Sequence, residues 1–440
     1  MNRRFVQSVC LLAATVAMLA GPRASHAQDQ PPPAPAPHQH EAPADPHAGH
    51  VMAGSLFTRR DNAGTGWTPA TTPMLAAHRQ AGPWSLMLMG NGFVQYLEEF
   101  APIHRGARQA GSINWLMGMG RRRLGAGVVG ARVMLSAEPF TIGGCGYPNL
   151  LASGELCDGD GIHDKQHPHD LVMELAAEYS IPLTRSLRWH VYGGPAGEPA
   201  LGPVAFPHRA SAMANPIAPI SHHWLDATHI TYGVVTSGLS ADRWRVEGSV
   251  FNGREPDEER HDFDFGPLDS FSARLQLATT DGLALQVSAG RLESAEAGEG
   301  GLPPRDVTRI TASMQHQGTL AGRPVATTVA WGGNHEVQTW THAVLAEGVL
   351  TMTARHTLFA RAEIAGKRGH DLHIHEDVLA IFTVGKLQGG YLWLFAPRRG
   401  MQAGLGGSAS AALVPAAIQP NYGGVGLGIG VFATLRPAAQ

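Results

Sequence analysis

Leu350-Thr-Met-Thr-Ala-Arg-His-Thr-Leu-Phe-Ala-Arg-Ala-Glu-Ile364 is the stretch on which the fold turns. Leu350, Met352, Ala354, Leu358, Ala360, Ala362 and Ile364 fall on one side of an extended chain. Thr351, Thr353, Arg355, Thr357, Arg361 and Glu363 fall on the other, with Phe359 the single exception. Side chains of a strand alternate between its faces, so this pattern requires one apolar and one polar environment. The same period runs through Arg243–Asn252, where Trp244, Val246 and Val250 oppose Arg245, Glu247 and Ser249. It recurs in Arg309–Gln317, and in Val425–Leu435 with Val425, Leu427, Ile429, Val431 and Leu435 on one face.

Segments of this kind start near Trp84, Arg122, Leu171, Leu187, His229, Phe271, Leu283, Pro324, Val378 and Gly389. They are longer than the five or six residues usual in soluble sheets and match the about 9–11 residues of a tilted membrane-spanning strand. Charged residues make up only 16% of the chain while hydrophobic ones make up 43%, against about 25% charged in a typical soluble domain. No run after the N-terminus is long enough for a spanning helix. A chain poor in charge and without long apolar runs fits alternation across a barrel wall. The expectation is an all-β fold, a closed antiparallel transmembrane β-barrel of about 12–14 strands. The competing fold is a soluble sandwich with its polar faces outside.

Gly332-Gly333, Asp281-Gly282 and Ala321-Gly322 read as tight hairpins. Longer inserts lie at 139–166, 194–227 and 253–268. The second is rich in Ala, Pro and Met, cannot form a regular strand, and is expected to fold inward as a constriction loop does in porins.

Residues 1–27 have the layout of a secretory signal peptide: Arg3 and Arg4, an apolar run from Val9 to Ala20, then Ser25-His26-Ala27. The apolar run is shorter than the roughly 20 residues of a spanning helix. Cleavage after Ala27 takes three arginines, making the formal net charge of −3 three units more negative. No basic patch points to nucleic acid. Cys145 and Cys157 then remain, and a disulfide closing the loop between them suits an oxidising periplasm. Residues 28–56, Pro- and His-rich and without period, read as a disordered tail. The barrel domain is assigned to 57–440.

Histidine is the unusual feature, with 23 in the chain. The tail holds His38, His40, His47 and His50 near Met52. A second cluster is His163-Asp-Lys-Gln-His167-Pro-His169-Asp170, and a third holds His208, His222, His223, Asp226 and His229. Imidazole suits copper, zinc and nickel, and thioether suits Cu(I). In an extended segment His167 and His169 share a side, with His163, Asp164 and Asp170 as further candidates, whereas His222 and His223 point apart. His373 and His375 form another such pair, beside His370. The other reading of these clusters is a polar lumen network in which His and Asp bond each other. The acidic loop Arg254–Asp264 attracts cations or is simply solvated. No GxSxG, P-loop or HExxH is present, so an enzyme is not expected and no cofactor is required. The ligands in view are copper or another divalent ion.

Several motifs resemble an uncharacterised family of bacterial exported outer-membrane β-barrel proteins linked to copper and heavy-metal resistance. They are Thr65-Gly-Trp-Thr-Pro69, Asn114-Trp-Leu-Met-Gly-Met119, His163–Asp170, Gly197-Glu-Pro-Ala-Leu-Gly-Pro-Val-Ala-Phe206, Ser221-His-His-Trp224 and Phe251-Asn-Gly-Arg-Glu-Pro-Asp-Glu-Glu259. The likeness covers about 57–435. In plan alone, a His-rich tail before a barrel is similar to the copper-resistance outer-membrane protein B family. The resemblance implies an outer-membrane location in a Gram-negative bacterium, reached by Sec export, contact with outer-membrane lipid, and periplasmic metal-handling partners. The function expected is passage, export or sequestration of metal ions, copper first. The alternatives are a general small-solute porin and a structural barrel with no metal role.

Overall fold

The computed structural model describes residues 55–101, 105–153, 156–157, 160–164, 167–296, 303–374 and 376–438. The signal-peptide reading, and the tail with His38, His40, His47 and His50, lie outside them. The strands are β1 (Ala76–Ala81), β2 (Trp84–Phe100), β3 (Ala107–Leu124), β4 (Gly127–Leu135), β5 (Tyr147–Pro148), β6 (Leu156–Cys157), β7 (Asp160–Asp164), β8 (Val172–Pro182), β9 (Arg188–Gly197) and β10 (Thr231–Ser240). After them come β11 (Trp244–Phe251), β12 (Ser270–Thr280), β13 (Leu283–Glu296), β14 (Arg305–Leu320), β15 (Arg323–Glu336), β16 (Thr339–Thr353), β17 (His356–Arg368), β18 (Ile381–Leu394), β19 (Met401–Leu413) and β20 (Val425–Pro437).

All but β5, β6 and β7 join one antiparallel sheet. It closes where β20 pairs with Gly92–Phe100 of β2, and β1 takes over the same edge at Trp84–Met89. The two chain-end strands thus share one place end to end, and the result is a closed barrel of sixteen strands. Closure leaves no long open sheet edge; among the described strands of this sheet, only the six-residue β1 is paired on one side alone. Tight turns at 82–83, 125–126, 281–282, 321–322 and 354–355 mark one end; the inserts 136–171, 198–230 and 252–269 mark the other.

The alternation has the sense expected of a membrane barrel. On β20, Leu427 and Val431 are 54% and 60% exposed while Phe432 and Thr434 are each 4% exposed. On β17, Arg361, Glu363 and Lys367 are buried inside while Leu358 faces out. The sandwich is thereby excluded, because the greasy rows are outermost. Phe359, the exception of the sequence pattern, does turn inward and packs with Phe93, Leu392 and Phe432. Val287 lies outward between Leu275 and Ala312 in register. Val287→Arg is expected to destabilise the barrel, by up to about 2–4 kcal/mol depending on its depth in the bilayer, and to lower the yield of folded barrel in lipid vesicles. Unchanged insertion would show that this face does not meet lipid.

The count of 12–14 strands is corrected to sixteen. Leu350–Ile364 is a hairpin, its turn at Ala354-Arg355 between β16 and β17. Leu350 pairs with Leu358 and Thr351 with Thr357. Both partners of each pair have the same parity, so the alternation continues in phase through the turn. The starts near Val378 and Gly389 resolve into one strand, β18. β19 carries no legible period, because Gly404-Leu-Gly-Gly-Ser-Ala-Ser-Ala-Ala412 has too little side-chain contrast. Ala321-Gly322 is a tight turn with positive φ at both residues, as a two-residue hairpin requires. Gly332-Gly333 is not a turn. It lies within β15, and a Cβ on Gly332 would overlap the Trp224 carbonyl oxygen.

Candidate metal centre in the barrel lumen

Insert 198–230 crosses the lumen as a plug. Its residues bond the wall on several strands: Asn91 of β2 to the Met213 carbonyl (3.1 Å), Ser211 to Thr328 of β15 (2.6 Å), Ser221 to Glu363 of β17 (2.7 Å) and Asn215 to Gln388 of β18 (2.7 Å). At its centre Arg209, 0% exposed, donates to Glu347 (2.7 Å) and Asp226 (2.6 Å), and Glu347 also accepts from Arg361 (2.9 Å). Ser55–Met74 forms a second lumen segment, which leads into β1. Trp67 sits between the Arg60 and Arg245 guanidiniums, and Thr65 receives a hydrogen bond from Arg274 (2.7 Å).

The plug and insert 136–171 bring five of the expected histidines together. Ring centroids are 4.8 Å apart for His167 and His222, 5.5 Å for His167 and His223, 5.0 Å for His222 and His229, and 5.4 Å for His169 and His229. Phe206 stacks on His169 and meets His222 and His229 edge-on. All but the half-buried His229 are buried. The expectation that His222 and His223 diverge is corrected. They sit in a single helical turn, α1 (His222–Leu225), where successive residues are about 100° apart rather than opposed.

Each Nδ1 is held from behind. His167 pairs with Asp164, His169 with Glu138 (2.8 Å), His222 with Asp226 (2.8 Å) and His223 with Glu255 (3.2 Å). His229 Nδ1 bonds the Asp226 carbonyl (3.0 Å). Nδ1 engagement turns Nε2 toward the centre as the ligand atom, and a carboxylate behind an imidazole raises its basicity toward a metal. The Nε2 atoms of His167, His169 and His229 are buried with no hydrogen-bond partner, an arrangement that costs about 1–3 kcal/mol per group unless something is bound there. Burial, reinforced by neighbouring imidazoles, holds His222 and His229 well below the ordinary histidine pKa, keeping them in the neutral, ligating form. A cavity of about 40 Å³ lies among the five rings, room for an ion with a water.

The imidazoles stand apart in this state. Among the described residues, three donor atoms within 4.8 Å of one another occur at Asp257, Asp262 and Asp264 on the outer loop. Metal–imidazole bonds of about 2.0–2.1 Å would therefore draw the rings inward.

The other expected residues fall elsewhere. Asp170 borders the centre, but its carboxylate accepts from Tyr232 (2.9 Å) and Arg260 (3.2 Å). The His163 backbone pairs with Pro148; its side chain lies outside the described residues, as does His375. His370 pairs with Asp371 away from the centre. Cys145 is disulfide-bonded, while the Cys157 side chain lies outside the described residues. Glu138 was missed by sequence reasoning: it stands in Ser-Ala-Glu-Pro-Phe, far from any histidine, and only the fold brings it to His169.

His208 lies against Trp115, ring centroids 4.2 Å apart, with both ring nitrogens unbonded. Burial, and next to it the His169 charge, pushes it down to about 3. A histidine neutral in the native state but protonated when unfolded gives stability that is complete above about pH 6.5 and lost as pH falls toward the folded pKa. Proteolysis of insert 198–230 is therefore expected to quicken from pH 7 to 5 and to stay level from pH 9 to 7. His208→Leu should lessen that slope, with His222 and His229 in the same insert supplying the remainder, and an acid response equal to wild type would contradict the assignment.

At the tight-turn end a vestibule of about 780 Å³ is lined by eight arginines against four acids, Asp61, Glu178, Asp242 and Asp281.

No family model matches the chain, and no curated protein sequence does. Among solved structures it is similar to an anion-selective porin from Comamonas acidovorans, with TM-score 0.50 and 11% identity over 80% of this chain and 99% of that one. It is also similar to OmpF of Salmonella typhi in complex with daunomycin, with TM-score 0.50 and 8% identity over 81% and 100%. At such identities the likeness is one of fold alone, and the fold it supports is the porin-type barrel.

Proposed function

We propose that this chain is an outer-membrane barrel that holds a transition-metal ion, copper first, at the lumen histidines, as a station for passage, export or sequestration. The observation that carries this reading is the convergence of five imidazoles whose Nδ1 atoms are all engaged from behind, four of them by carboxylates. A network made only for packing needs no buried, unbonded Nε2 atoms at His167, His169 and His229. His167→Ala/His222→Ala is the test, read by Co(II) absorption and bound-metal stoichiometry in detergent. Affinity is expected to fall by about 100-fold or more, at or beyond the upper end of the about 10–100-fold for loss of an outer partner. Unchanged affinity would remove the site.

The second reading is a small-solute porin, favoured by the basic vestibule, which would attract anions. The plug argues against free diffusion. Planar-bilayer conductance that ignores copper and prefers anions would favour the porin.

A further inference from the structure

Three adjacent strands carry methionine on the lumen side only. Met87 and Met89 of β2, Met117 and Met119 of β3, and Met134 of β4 are all buried inside. The outward positions of the same strands hold Leu86, Leu88, Leu116, Val133 and Leu135. Met87 pairs directly with Met119, Met89 with Met117, and Met117 with Met134. Direct cross-strand partners have Cβ atoms about 4.5–5.5 Å apart, so these flexible side chains can converge. The five pack in one cluster with Phe57, Trp115, Met173, Ile230 and Tyr232, where branched residues would specify a core better than methionine does.

A cation among thioethers needs a counter-charge. Glu174 stands opposite Met134 in register. Its Oε1 accepts from the Tyr192 hydroxyl (2.7 Å) and the Gly64 amide (3.3 Å), while its Oε2 is buried with no hydrogen-bond partner. Arg132, facing Met119, opposes a cation; it is paired with Glu178 (2.6 Å) and more distantly with Glu174 Oε1 (3.9 Å), so Oε2 is the Glu174 oxygen left to answer an added cation. At the rim, His78 lies opposite Met87 and its Nε2 approaches the Met74 sulfur (3.1 Å).

We propose that Met87, Met89, Met117, Met119 and Met134, with the Glu174 carboxylate, form a site for a soft monovalent d10 cation, Cu(I) or Ag(I). Thioether selects such ions over divalent ones. The site shares no ligand with the histidine centre, so either can fail without the other.

The probe is Ag(I), titrated into the full chain in detergent micelles with methyl-13C methionine. The expected result is saturable binding that shifts the methyl resonances of Met87, Met89, Met117, Met119 and Met134 and leaves those of the outward Met314 and Met352 in place. Met87→Leu/Met117→Leu/Met119→Leu, a volume-conserving change that cores tolerate, should abolish it while leaving Co(II) binding at the histidines intact. Glu174→Gln should weaken it by about 10–100-fold, as loss of a supporting carboxylate does. The proposal is overturned if Ag(I) binds the triple-leucine chain as tightly as wild type, if it binds without moving the inward methyl groups, or if His167→Ala/His222→Ala removes it. Should Co(II) fail to bind, the methyl shifts still decide this site.

Discussion

Arg209→Ala is expected to release the lumen plug. The guanidinium is fully buried and answers both Asp226 and Glu347. Its loss leaves Asp226 without a cationic partner and Glu347 with Arg361 alone. Breaking a buried pair from one side costs about 3–5 kcal/mol, mostly as the penalty of the charge left behind. The wall has its own hydrogen-bonded ladder, so the barrel should still fold. Segment 198–230 should become sensitive to protease, and single-channel conductance should rise. Arg209→Lys should restore only part of the docking, since an ammonium cannot reproduce the planar fork. Conductance and proteolysis equal to wild type would show that other contacts dock the plug.

Gly332→Val should displace the same element from another side. Gly332 faces the lumen in β15, and Ala330, Ala343 and Ala365 around it form a recess for Trp224 and Leu225. Trp224 is fixed there by its indole N–H to Thr341 (2.9 Å), and the neighbouring His223 carbonyl accepts from Asn334 (3.0 Å). A valine would meet the Trp224 backbone rather than a movable side chain, so about 3 kcal/mol or more of overpacking is expected. Because α1 carries His222 and His223, Co(II) affinity should fall together with a red shift of tryptophan emission. Gly248→Val is the control: it faces outward with its nearest neighbour 3.6 Å from an added Cβ, and should change neither signal. Wild-type metal affinity in Gly332→Val would separate α1 from the centre.

Much of this organisation was legible beforehand. Strand faces, the inward sense of polar rows such as Arg309-Thr311-Ser313, and the inward folding of the Ala/Pro/Met-rich insert followed from residue period and turn chemistry. The candidate histidines 167, 169, 222, 223 and 229 were also in view. Hidden from it were the hairpin inside Leu350–Ile364, whose turn keeps phase, and Gly332, which reads as a turn because sequence does not distinguish a glycine needed for φ from one needed for space.

By itself the sequence determined that an apolar and a polar environment must lie on opposite sides of each strand, because a two-residue period leaves no other way to satisfy apolar and charged side chains together; that the apolar side is the outer one was decided by the closed barrel. It also determined the supply of imidazole and thioether. Only the tertiary structure decided which of these meet. Glu138 reaches His169 across 31 residues, and Arg209 reaches Glu347 across 138. Such partners are chosen by closure of the barrel and by the path of the plug through it, and long-range packing of that kind leaves no local mark on the chain.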